Sequence, residues 1–74
     1  MTVQEMVQLT GELPTKFSIG DENFEFFSRK RNNGSFLATI WKVEFGKQIE
    51  MLCYGEGSTL KKAKEDLKNK ILKL

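Results

Sequence analysis

The chain reads as a small α+β domain in the order α-β-β-β-α, a three-stranded antiparallel sheet with both helices packed on one face. Three observations predict this. A stretch at each end repeats apolar residues at helical spacing, residues 24–54 fall into three runs rich in β formers, and short glycine-bearing joins separate those runs. Seventy-four residues make one domain, near the lower limit for a self-supporting core. At 39% hydrophobic and 30% charged the composition excludes the disordered and fibrous classes, and six Phe, one Trp and one Tyr supply large apolar area for so short a chain.

Residues 2–9 predict a short helix. Thr2 can cap it, Glu5 follows three residues on as in a capping box, and Val3, Met6, Val7 and Leu9 form its apolar stripe. Gly11 ends it and Pro14 prevents its resumption. Residues 12–22 admit two readings. Lys16 to Ile19 is either a short strand leading into a Gly20-Asp21 turn or part of an ordered loop anchored by Leu13, Phe17 and Ile19. Phe24 to Arg31 is the first strand of the meander, and Asn32-Asn33-Gly34 is its hairpin turn, Asn33 and Gly34 both tolerating positive φ. Asn33-Gly34-Ser35 also spells a glycosylation sequon, read here simply as the turn. Phe36 to Phe45 is the second strand, Gly46-Lys47 the next turn, and Ile49 to Tyr54 the third strand. Ser58 to Leu74 is the second helix, capped by Ser58 or Thr59, with Leu60, Ala63, Leu67, Ile71 and Leu74 on the stripe that meets the sheet.

Both sheet faces are partly apolar. Phe24 and Phe26 alternate with Phe27, and Phe36, Ala38 and Ile40 alternate with Leu37, Trp41, Val43 and Phe45. Either residues 12–20 wrap over the far face, which is the simpler reading, or an aromatic patch is exposed there and marks a protein partner or a homodimer.

Several classes fall away on composition. There is no histidine and no cysteine pair, so neither a zinc site nor a histidine-based triad can be built, and no enzyme is expected. Cys53 alone excludes an internal disulfide and fits a reducing, cytoplasmic compartment. No apolar run approaches the roughly 18 residues of a membrane span, and no signal-peptide pattern opens the chain. Neither a cofactor nor a metal is expected.

Charge points the other way. The net charge of +2 divides into −4 for residues 1–27, with one Lys against five Asp/Glu, and +6 for residues 28–74, with eleven Lys/Arg against five Asp/Glu. One basic face on a nearly neutral protein is the usual electrostatic footprint for nucleic acid. Its centre is Gly55-Glu56-Gly57-Ser58-Thr59-Leu60-Lys61-Lys62-Ala63-Lys64, where a glycine-rich turn opens into a helix carrying three lysines and no acid before Glu65. A helix N-terminus carries roughly half a positive charge, so lysines there make sense if a phosphate docks on them. Lys61, Lys64 and Lys68 extend along one flank, while Lys62 stands apart.

The element order and the Gly55–Lys64 stretch resemble the double-stranded RNA-binding domain family, whose last strand ends in Gly-x-Gly followed by Ser or Thr and a lysine-rich helix start. Gly55, Gly57, Thr59, Lys61, Ala63 and Lys64 match. The resemblance implies that Lys61, Lys62, Lys64 and Lys68 meet phosphates across the major groove, that Arg29, Lys30 and Arg31 beside the hairpin supply a second contact, and that Thr2, Gln4, Glu5 and Gln8 of the first helix face a minor groove. Leu60 stands where the family has its first lysine, and Asp66 and Leu67 stand where it has two small residues facing the sheet. A weaker resemblance is to the arm-binding domains of phage-type integrases, which lay a three-stranded sheet into the DNA major groove; it rests on residues 27–36 and on Thr59-Leu60-Lys61-Lys62-Ala63. The expected ligand is therefore double-stranded RNA, with duplex DNA or a protein bound on the aromatic sheet face as the alternatives.

Overall fold

A computed structural model describes residues 2–73. The elements are α1 (Val3–Thr10), β1 (Lys16–Ile19), β2 (Glu22–Lys30), β3 (Phe36–Glu44), β4 (Lys47–Gly57) and α2 (Leu60–Leu72). The fold is α+β, an open antiparallel sheet in the order β1-β2-β3-β4 with two helices sharing one core on one of its faces. The sheet has four strands rather than the three expected. Residues 16–19 form the extra one, pairing Lys16 to Glu25 through Ile19 to Glu22 across a two-residue Gly20-Asp21 loop. Gly20 at φ 60 takes the positive angle that loop needs, and Phe17 stacks on Phe24 at 5.3 Å between ring centroids.

The turns differ from expectation in detail. Only Gly34 of the Asn33-Gly34 pair has positive φ, 87°, and Gly34 N–H bonds to Arg31 O at 3.0 Å, so the loop is a three-residue hairpin and not a two-residue one. Asn33 Oδ1 secures it by accepting from the Ser35 N–H and hydroxyl. The next turn falls one residue early, on Phe45-Gly46 at φ 52 and 76, and β4 is correspondingly longer than residues 49–54 at both ends. Two bulges, opposite Ile40/Trp41 and Lys42/Val43, leave Leu52 and Ile49 of β4 without a partner across the ladder.

Thr2 caps α1 by accepting from Glu5 N–H at 3.1 Å, and Gly11 closes it at φ 70 with a bond back to Val7 O. The core joins Val3 and Val7 of α1, Phe24, Ala38 and Ile40 of the sheet, and Ala63, Leu67 and Ile71 of α2. The helix-side alternation expected for Phe24, Phe36, Ala38 and Ile40 is therefore realised; Leu74 of the expected stripe lies outside the described residues. No described helix is long and apolar enough to cross a membrane.

Candidate functional site

The start of α2 is set by the strand before it. Gly55 and Gly57 lie inside β4, and neither has positive φ, so the expected glycine-rich turn is instead the end of a strand. Their smallness serves close approach. A Cβ on Gly55 would stand 2.2 Å from Leu67 N and 2.6 Å from Ala63 O, and one on Gly57 would stand 2.6 Å from both Ala63 N and Lys62 Cβ. The helix backbone thus lies directly on the strand. This explains how Asp66 and Leu67 can occupy positions where small residues were expected on the helix: the clearance comes from the strand. Leu67 is fully buried, while Asp66 turns to the edge of β4 and accepts from Glu56 N–H at 2.9 Å. That bond, with the Lys70 ammonium 3.3 Å away, holds the Asp66 carboxyl below the usual aspartate range, and it also covers an edge N–H open to pairing.

Thr59, in extended conformation, caps α2 through Lys62 N–H at 3.1 Å, so the helix begins at Leu60, two residues later than Ser58. No acid sits in its first turn to offset the positive end. Lys61, Lys64 and Lys68 line one flank with Glu12, Leu13 and Glu65 around an open hollow of about 270 Å³. Lys64 Nζ lies 5.2 Å from the centroid of the Phe26 ring. Lys68 Nζ donates to Gly11 O at 3.1 Å, a cation at the C-terminal end of α1, which leaves two of its three protons free. Lys62 is exposed off this flank.

Strand register decides what joins them. Lys30 pairs with Phe36, and Phe36 pairs with Gly57, so the base of the β2–β3 hairpin and the entry to α2 share one end of the molecule. The three hairpin cations then diverge. Lys30 turns to the helix side, 6.0 Å from the Phe36 ring centroid. Arg31 is held by Glu56 at 3.1 Å, and Arg29 joins the opposite face beside Phe27 and Leu37.

The first-helix candidates stand elsewhere. Gln4 Nε2 donates to Leu72 O at 2.6 Å, at the far end of α2, about 18 Å from Leu60 at about 1.5 Å per residue. Glu5 is engaged with Thr2 in the α1 cap, and Gln8 is exposed. Lys30, Lys61, Lys62 and Lys64 are therefore gathered at one end, and Gln4 and Glu5 are not among them.

The outer face of the sheet carries a second set of residues. Residues 12–20 do not wrap over it, because β1 pairs edge-on with β2 and Leu13, Phe17 and Ile19 pack on the helix side. Phe27, Leu37, Trp41 and Met51 surround an open hollow of about 340 Å³ there. Trp41 Nε1 donates to Thr39 Oγ1 at 3.1 Å, and Thr39 Oγ1 donates to Phe27 O at 3.3 Å. Met51 and Tyr54 are each 42% exposed, and Phe45 at its turn is fully exposed. The alternation pointed to Phe27 and Trp41. The alternation also named Phe45, which the structure places at the turn; the exposure of Met51 depends on the bulges, which leave no mark in the residue pattern. Comparison of the chain with family models, with curated proteins and with solved structures finds no match.

Proposed function

We propose that this chain is a nucleic-acid-binding module that grips the phosphate backbone of a duplex at the end where α2 begins, and that it has no catalytic role. The supporting observation is the register Lys30–Phe36–Gly57, which sets a hairpin cation beside a helix start bearing Lys61, Lys62 and Lys64 and no first-turn acid. Backbone N–H groups, the helix dipole and ammonium groups then converge on one anionic ligand. Lys68 already holds Gly11 O, so the strongest contacts are expected toward Lys61 and Lys64, although Glu12 and Glu65 share their hollow. RNA is the preferred duplex on the resemblance of the Gly55–Lys64 stretch to the double-stranded RNA-binding pattern.

About four to six phosphate contacts imply a salt slope of roughly −3 to −5 in log K against log salt, with little sequence preference. The test is a titration of a duplex RNA of about 20 base pairs at two salt concentrations, with a DNA duplex of equal length alongside. Reversing Lys61 and Lys64 to Glu should abolish binding while the circular dichroism spectrum is unchanged. Absence of binding at low salt, or unchanged binding by the reversed variant, would overturn the assignment. Preference for DNA would transfer it to the alternative duplex.

A further inference from the structure

We infer that the outer face of the sheet is the interface of a symmetric homodimer, two copies packed sheet to sheet with their β2 strands antiparallel. The ladder sets this face out in three rows. Glu25, Trp41 and Met51 form one, Phe27, Thr39 and Tyr54 the middle one, and Arg29, Leu37 and Glu56 the third. A twofold axis lying between the two sheets and across the strands at the middle row exchanges the outer rows. Glu25 of each copy then lies over Arg29 of the other, and Trp41 over Leu37, while Phe27 and Tyr54 meet their own counterparts. Such an interface is isologous: its Glu25–Arg29 and Trp41–Leu37 pairs complement themselves, while Met51 lies over Glu56 of the other copy.

The chemistry of the face favours a second copy over a polyanion. Its cations, Arg29, Arg31 and Lys16, the last paired across the ladder with Glu25, are interleaved with Glu25 and Glu56, and Lys70 of α2 reaches its β4 edge, with Nζ 4.3 Å from the Tyr54 ring centroid. The Trp41 indole N–H and the Thr39 hydroxyl at its centre are already satisfied by the Trp41–Thr39–Phe27 relay, so little is lost there when water leaves. Met51, unbranched and half exposed, is the side chain able to fill the 340 Å³ hollow when the sheets close. Three strands about 4.8 Å apart and about 30 Å long, with the short β1 beside them, offer roughly 500 Å² per copy, the low end for specific association, so the dimer is expected to be micromolar or weaker. The product is a four-layer α-β-β-α particle with its two basic ends pointing in opposite directions.

The test uses the whole chain without nucleic acid, so its outcome is independent of the proposed function. Sedimentation equilibrium up to about 1 mM should show a monomer–dimer equilibrium, and emission from the single Trp should shift to the blue as concentration rises. Glu25→Arg and Arg29→Glu, each making two like-charge pairs per dimer, should each weaken association about tenfold or more, and the double swap should restore it. Met51→Ala, on an exposed position, empties part of the hollow without touching the charges and should also weaken association; unchanged association would count against the proposal. A monomer at the highest concentration, single swaps that associate like the parent, or a double swap that fails to recover would overturn the proposal. So would a monomer whose Trp41 emission is quenched by single-stranded RNA, which would make bases the occupant.

Discussion

Replacing Gly55 with alanine should lift α2 off the sheet. The added Cβ would stand 2.2 Å from Leu67 N, where ordinary contact begins at 3.4 Å, and the obstructing atoms are helix backbone. The helix must therefore retreat by 1.2 Å, the difference of those two distances. Leu67 and Ile71 are fully buried under it. If each makes about 50 contacts of about 0.15 kcal/mol, half of them toward the sheet, and such a gap forfeits some 40% of those, the pair loses roughly 3 kcal/mol. That is the upper part of the range for overpacking a core. In a domain of this size it corresponds to a fall in Tm of about 12–24 °C. Thermal and urea denaturation followed by circular dichroism measure it directly. Gly11→Ala is the control, because nothing lies within 4 Å of its Cβ and only the left-handed backbone, at φ 70, resists the change. It should cost about 1 kcal/mol. A Gly55→Ala variant melting within about 4 °C of the parent would show that the glycines do not set the helix position, and with it that they do not position Lys61 and Lys64.

Other perturbations separate local strain, capping and charge. Phe45→Asn, which places the favoured Asn-Gly pair at a turn where a fully exposed Phe takes φ 52, should raise stability by about 1 kcal/mol. A lower Tm would mean the Phe45 ring has a packing role. Thr59→Ala removes the cap of Lys62 N–H and should cost about 1 kcal/mol, read as a lower urea midpoint. Because the Asp66 carboxyl is held below the ordinary aspartate range by Glu56 N–H and then by Lys70, its contribution is present above the unfolded pKa and is lost as pH falls through the depressed folded value. Asp66→Asn keeps an acceptor for Glu56 N–H, so its urea midpoint should vary less between about pH 5 and pH 2 than the parent's; identical pH profiles would contradict this. Lys42 has the opposite sign. Its pKa is raised by the 3.1 Å pair with Glu22, so that contribution persists below the ordinary lysine range and fades as pH rises through the raised value.

Periodicity and caps identified both helices, the three-strand meander and most of the residues that bury between them, because they are local properties of the chain. Leu9, expected on the α1 stripe, is 74% exposed because it lies past the part of α1 that meets the core. Thr2, Gly11 and Ala63–Leu67–Ile71 act in the structure as their spacing implies. The short strand at residues 16–19 was ambiguous because four residues carry too little pattern, and pairing with residues 22–25 is what defines it. The glycines of the Gly55–Lys64 stretch looked like a phosphate loop, since sequence cannot distinguish a glycine needed for φ from one needed for clearance. Only the helix lying 2.2 Å from a missing Cβ settles which it is. The lysines themselves were legible as a stripe, but their division was not. The register aligns Lys30 with the start of α2, Arg31 is drawn to Glu56, Lys68 to Gly11, and Gln4 to the far end of the helix. Long cationic and amide side chains reach several ångströms, and their partners are chosen by whatever carbonyl or carboxylate the fold brings near. The chain by itself determined which residues are basic and which are buried; the packing of α2 on β4 decided which charges stand together.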